Sequence, residues 1–191
     1  MNKSTEIQYQ DIRSNIKDAD ILLYKGTGLF SYLIKKITRS EYSHAGLAVR
    51  WNDRLMVMEA VGRGVIVTPL STNVRKYHGD VEWFQCKEKI SDEKRLLIIQ
   101  FAQKELGKKY SILGVLWIAY HILLKKPFTE SESDITSKRL FCSLYVASSY
   151  NQASLNLDLA RGKPDYLTTP DDIRLSPLLE IGGILKNNKN I

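Results

Sequence analysis

Three residues stand in settings that suit acyl transfer through a thiol: His44, Glu59 and Cys142. His44 heads the small, apolar, β-prone run HAGLAV, and Glu59 lies inside the apolar run LMVMEAVG. The runs 43–50 and 55–61 flank WNDR, where Asn52 and Asp53 suit a tight hairpin turn. With that turn, Gly46 faces Glu59 and His44 faces Val61, which makes His44 and Glu59 diagonal neighbours on one sheet face. A carboxylate there can reach and orient an imidazole, giving a base and its orienting group. The register carries this inference, because a slip of one residue would send the two side chains to opposite faces. On pattern alone His44 serves equally well as a satisfied core histidine. Glu59 shifts the balance, since an unpaired charge in an apolar strand is costly and His44 is the nearest partner.

Cys142 lies in RLFCSLYVASSY, near the expected start of a helix. There the unpaired backbone N–H groups and the helix dipole favour thiolate over thiol, and the same groups suit a developing oxyanion. Taken alone, Cys142 fits an inert buried cysteine as well. Cys86, inside the strand-like VEWFQCKEK, reads as a packing residue, His78 as a turn residue and His121 as part of an apolar helical run. Two cysteines and three histidines without ligand spacing argue against a zinc site, and no cofactor is expected. No GxSxG signature occurs.

A scaffold must bring a hairpin and a helix end together. The 191 residues suit one domain with a sizeable core, and 43% apolar with 26% charged residues is an ordinary globular composition. Residues 21–24 read as a strand, KGTG as a turn on structural glycines, and Leu29, Leu33 and Ile37 as one stripe of an amphipathic helix. The runs GVIVTPL and VEWFQCKEK extend the hairpin into an antiparallel meander. Ser91 caps a helix that Gly107 ends. The apolar run 112–124 is too short to span a bilayer and reads as a buried or interfacial helix, with a polar loop after it. The tail after residue 160, rich in proline and glycine, is expected to be mostly irregular, and residues 1–15 and 187–191 to fray.

The ordered motifs DILLYKGTG, YSHAGLAV, the acidic residue of the following strand, ELGKKY and FCSLYVA resemble the permuted papain-like amidases of the YaeF/YiiX type. These are relatives of the NlpC-type cell-wall peptidases in which the histidine strand precedes the cysteine helix. The resemblance implies one α+β domain of circularly permuted papain-like fold, an antiparallel sheet or barrel packed against helices including the one bearing Cys142. It also implies Cys142 as nucleophile, His44 as general base and then acid, and Glu59 as the group that orients His44. Tyr110 matches a tyrosine beside the nucleophile that helps bind substrate or oxyanion, although a packing aromatic fits that position equally. LTTPDDI resembles a proline-containing segment near the family's C-terminal end. Two departures stand out: Ser111 where relatives carry aspartate, and an insertion, 112–136, before the cysteine helix.

The expected activity is that of a cysteine amidase or peptidase acting on an amide of a peptidoglycan-type peptide or similar acyl substrate. One alternative keeps the triad for lipid acyl transfer or thioester hydrolysis, with 112–126 as the membrane-contacting element. A second is a catalytically silent module that holds a peptide or acyl group. The net charge of +7 comes from scattered pairs without interleaved aromatics, so no nucleic-acid partner is expected. The N-terminal MNKSTEIQYQDIRSN lacks an apolar signal core, which suggests a cytoplasmic or host-delivered protein.

Overall fold

A computed structural model describes residues 5–108, 142–157 and 168–187. Seven strands form one open sheet: β1 (Glu6–Gln8), β2 (Ile21–Gly26), β3 (His44–Trp51), β4 (Arg54–Val61), β5 (Gly64–Pro69), β6 (Gly79–Cys86) and β7 (Leu179–Lys186). Their spatial order is β1-β7-β6-β2-β3-β4-β5, antiparallel throughout except for the parallel pair β1 and β7. The described helices are α1 (Tyr9–Ile12), α2 (Leu29–Thr38), α3 (Leu70–Lys76), α4 (Asp92–Lys104), α5 (Cys142–Asn151) and α6 (Pro170–Arg174). The fold is thus α+β, as expected, but the sheet does not close into a barrel.

Both sheet faces are covered, which is why β2 and the start of β3 read as continuous apolar runs and not as alternation. Ile21, Leu23, Ala45, Leu47 and Met58 pack with Ile98 and Ala102 of α4 and with Leu144, Tyr145 and Tyr150 of α5. On the opposite face Leu22, Tyr24, Ala48, Val57 and Trp83 pack with Tyr9, Ile16 and Leu70. The buried Asp20, just before β2, ties the layers. It accepts from Trp83 Nε1 at 2.9 Å, from the Lys17 N–H at 3.0 Å and from the Arg95 guanidinium of α4 at 2.9 Å.

The hairpin of β3 and β4 has the anticipated register, with Trp51 paired to Arg54 and Gly46 to Glu59. Asn52 takes the left-handed conformation at φ 54°, which asparagine tolerates in a tight turn. The Ser91 cap, accepting from the Lys94 N–H at 3.4 Å, and the positive φ of Gly107 also agree with the helix expected there.

Four expectations need correction. The chain does not continue as a meander after β5. It runs through α3 and crosses the sheet, so β6 pairs with β2 on the far side of the hairpin. The described part of the C-terminal tail, 168–187, is mostly regular. Thr169 and Asp172 form a capping box that starts α6 with Pro170 in its first turn, and β7 pairs along β6. Within the N-terminal stretch expected to fray, Glu6–Gln8 adds a strand beside β7. The barrel option fails because β1 and β5 end the sheet. The apolar run 112–124, the insertion 112–136 and Tyr110 lie outside the described residues, and no helix among those described is long and apolar enough to cross a membrane.

Arg95→Ala would leave the Asp20 carboxylate buried without its cation. The expected loss is about 2 to 3 kcal/mol of unfolding free energy. Urea unfolding reads this as a lower midpoint, and an unchanged midpoint would remove Asp20 and Arg95 as the brace between α4 and the sheet.

Candidate active site

Glu59 is 6% exposed in the middle of β4. Its Oε2 lies 2.7 Å from His44 Nε2, so the diagonal contact anticipated from the hairpin register is present. The other carboxylate oxygen, Oε1, accepts from Asn73 Nδ2 at 2.9 Å and from Thr68 Oγ1 at 3.2 Å. Three donors thus meet one buried carboxylate. Gly46 makes room for it, since a Cβ there would come within 2.8 Å of Val57 Cγ2 and 3.3 Å of Glu59 Cβ.

Nε2 of His44 is taken by Glu59, which leaves Nδ1 for the hydrogen bond the ring makes with Cys142. Tyr24, paired to His44 across β2 and β3, packs its ring 5.0 Å from the imidazole, and Tyr77 meets Tyr24 edge-on at 4.9 Å. Burial holds the Tyr24 hydroxyl well above the usual range, so it forms a neutral wall.

Cys142 is 7% exposed, at the start of the described part of α5. Its Sγ accepts the backbone N–H groups of Ser143 and Ala45. Burial alone would raise the Cys142 pKa, but the His44 charge, its hydrogen bond and the two N–H groups together lower it. For His44, burial alone would depress the pKa, and the Cys142 thiolate and Glu59 push it up to about 10. The two shifts run in opposite directions, since each group's charged form favours the other's.

A cleft of about 730 Å³ opens against His44 and Glu59, with Ile34, Val61, Ile66 and Tyr77 on its walls and Arg63 and Lys76 in its lining. Cys142 is not among the described residues that line this cleft.

The chain matches the family described as permuted papain-like amidase enzyme, YaeF/YiiX, C92 family, over residues 15–115. The chain belongs to this family. Membership makes it a cysteine-type hydrolase of general peptidase or amidase kind. The matched span contains His44 and Glu59 and ends before Cys142. A crystal structure described as the metalloprotein yiiX from Escherichia coli O157:H7 resembles 86% of this chain and 95% of its own, with a TM-score of 0.64 and 23% identity. That likeness bears on the fold. Among the described residues of the present chain, no three His, Cys, Asp or Glu side chains cluster so as to hold a metal ion. No curated protein matches the sequence significantly.

Of the four residues singled out in the sequence, three meet at one place, and Tyr110 lies outside the described residues. Cys86 lies elsewhere, its Sγ 3.9 Å from the Tyr150 hydroxyl, and burial raises its pKa. The sequence reading missed Thr68, Asn73 and Tyr24. Thr68 had a signal: Glu59 pairs with Ile66 across β4 and β5, which makes Thr68 its diagonal neighbour by the rule that found His44. Asn73 rides on α3, a helix without a clear start signal, and nothing in the sequence marks it.

Two outcomes are expected. Alkylation by iodoacetamide at neutral pH, followed by peptide mass spectrometry, should modify Cys142 at least about tenfold faster than Cys86. Equal rates would mean that no thiolate is held at Cys142. Asn73→Ala should remove about 1 to 3 kcal/mol of stability by leaving a buried carboxylate oxygen one donor short. It should also slow Cys142 alkylation, because His44 loses its fixed orienting group.

Proposed function

We propose that the protein is a cysteine amidase or peptidase that cleaves an amide bond through an acyl-enzyme, with Cys142 as nucleophile, His44 as acid and base, and Glu59 as the orienting group. The observation that carries this reading is the buried Glu59 carboxylate 2.7 Å from His44 Nε2, beside a buried Cys142 whose pKa His44 lowers.

Sγ of Cys142 adds to the amide carbonyl carbon, and the negative charge moves from sulfur to oxygen. N–H groups of the first helical turn are of the kind that lower the cost of that charge. The His44 imidazolium then gives its proton to the amide nitrogen, the C–N bond breaks and the amine leaves. The neutral imidazole next takes a proton from water, whose oxygen attacks the thioester. The acid leaves, and the thiolate and imidazolium pair is restored. Glu59 keeps Nε2 occupied throughout, so Nδ1 stays aimed at the sulfur and the leaving group.

The preferred substrate class is a peptidoglycan-type peptide. Arg63 and Lys76 support it, since the carboxylates of such peptides would find cations along the cleft. A catalytically silent module is disfavoured by the lowered Cys142 pKa, because a binding site has no use for a nucleophile whose ionised form is favoured.

Cys142→Ala should abolish hydrolysis of muropeptides followed by amine release, and undiminished turnover would remove the nucleophile. The pH dependence follows from the two directions. The thiolate is lost as pH falls through the lowered Cys142 pKa, and the imidazolium acid is lost as pH rises through about 10. A broad plateau of kcat/KM between those limits is expected. A profile that rises only near the ordinary thiol pKa would show that the pair is not formed.

A further inference from the structure

A surface helix ordinarily buries its apolar stripe and exposes its charged face. In helix α2 several of the described apolar side chains face outward instead. Its sequence, LFSYLIKKIT, is mostly apolar, yet none of its described side chains is buried and none joins either core cluster. Ser31 faces inward, because a Cβ added at Gly26 of β2 would come within 2.3 Å of its Oγ. Ser31, Ile34, Lys35 and Thr38, which share that side of the helical wheel, are all partly covered. On the opposite side Leu29 is 77% exposed, Tyr32 54% and Leu33 42%, with the exposed Lys36 among them. These positions follow the i, i+3, i+4, i+7 spacing of one continuous face.

The chain segment that carries this face is rich in cations. From Ile21 to Ser40 the chain carries Lys25, Lys35, Lys36 and Arg39 and no aspartate or glutamate. Lys25 is taken up by Glu41 at 3.0 Å and by the buried Glu82 at 2.9 Å, so Lys35, Lys36 and Arg39 are the cations beside the face. The Lys36 ammonium lies 5.9 Å from the centre of the Tyr32 ring, so the lysine leans along the apolar face with its charge at the edge. Exposed leucines, a tyrosine at the rim and the flanking cations Lys35, Lys36 and Arg39 are the chemistry of a helix that lies in the headgroup boundary of an anionic bilayer.

We propose that the outward face of α2, centred on Leu29, Tyr32, Leu33 and Lys36, docks the protein on an anionic lipid surface. Ser31 and Ile34, on the inward side of the same helix, line the cleft beside His44. A docked α2 therefore stands between the membrane and the cleft wall that it helps to form. The contact lies outside the run 112–126 considered for this role from sequence, and it does not depend on the proposed catalysis.

Vesicle flotation of the full chain tests it, with phosphatidylcholine alone against equimolar phosphatidylcholine and phosphatidylglycerol. Wild type should float with the anionic vesicles and not with the neutral ones, and added salt should weaken the association. Leu29→Gln with Leu33→Gln should weaken it at least about tenfold, as should Lys35→Glu with Lys36→Glu. Thermal unfolding of all variants should match wild type, because these described side chains are outside the core. Failure of wild type to float, or flotation unaffected by the leucine pair, would overturn the proposal. So would a wild-type dimer in size-exclusion chromatography that the leucine pair converts to monomer, since the face would then serve a second copy.

Discussion

The buried carboxylate of Glu59 sets the terms for its surroundings. A negative charge in the middle of an apolar strand is tolerated only where donors replace water, and removing one partner of a buried pair typically costs about 3 to 5 kcal/mol. Here the donors come from three different elements: His44 of β3, Thr68 of β5 and Asn73 of α3. Satisfying the charge therefore fixes the register of two hairpins and the docking of α3 across the sheet at once. Gly46 belongs to the same requirement, because a side chain there would push against Val57 and the Glu59 Cβ.

The proposed catalytic pair, Cys142 and His44, spans the sheet. Ala45 and Leu47 pack in the cluster that includes α5, whereas Ala48 and Val57 belong to the other cluster, and His44 shares the parity of Ala48. Helix α5 therefore lies on the face opposite the His44 and Glu59 side chains. The two sides meet at the beginning of β3, where the Ala45 N–H reaches Cys142 Sγ. A histidine deeper in the strand would be separated from the helix end by the sheet itself. Its place at the first residue of β3 is what lets one ring touch a carboxylate on its own face and a thiol arriving from the other.

The part of this arrangement legible in the sequence is the part determined by local geometry. A two-residue turn sets a register, and a register sets which side chains are diagonal neighbours, so His44 and Glu59 could be paired from WNDR alone. Thr68 was legible by the same rule and was overlooked. The crossing of β6 was not legible, because a strand buried on both faces carries no mark of which edge it joins. Nor was β7, whose two glycines lower its strand propensity. Gly182 serves packing instead: a Cβ there would lie 2.3 Å from Cε3 of Trp83, so the bare backbone is what admits the indole that bonds Asp20.

Helix α2 marks a different limit. The spacing of Leu29 and Leu33 establishes a helix with an apolar side, and it is silent on which way that side points. Orientation is decided by what the helix must satisfy next to the sheet. At Gly26 the backbone N–H donates to Ser43 Oγ at 3.2 Å, while the Tyr77 hydroxyl lies 3.5 Å from the same oxygen. The pocket left beside Gly26 is small and polar, and Ser31 fits it where a leucine would strand those groups without water. Ser31 keeps this polar cluster satisfied at the edge of the cleft, and the outward position of Leu29 and Leu33 is its structural consequence.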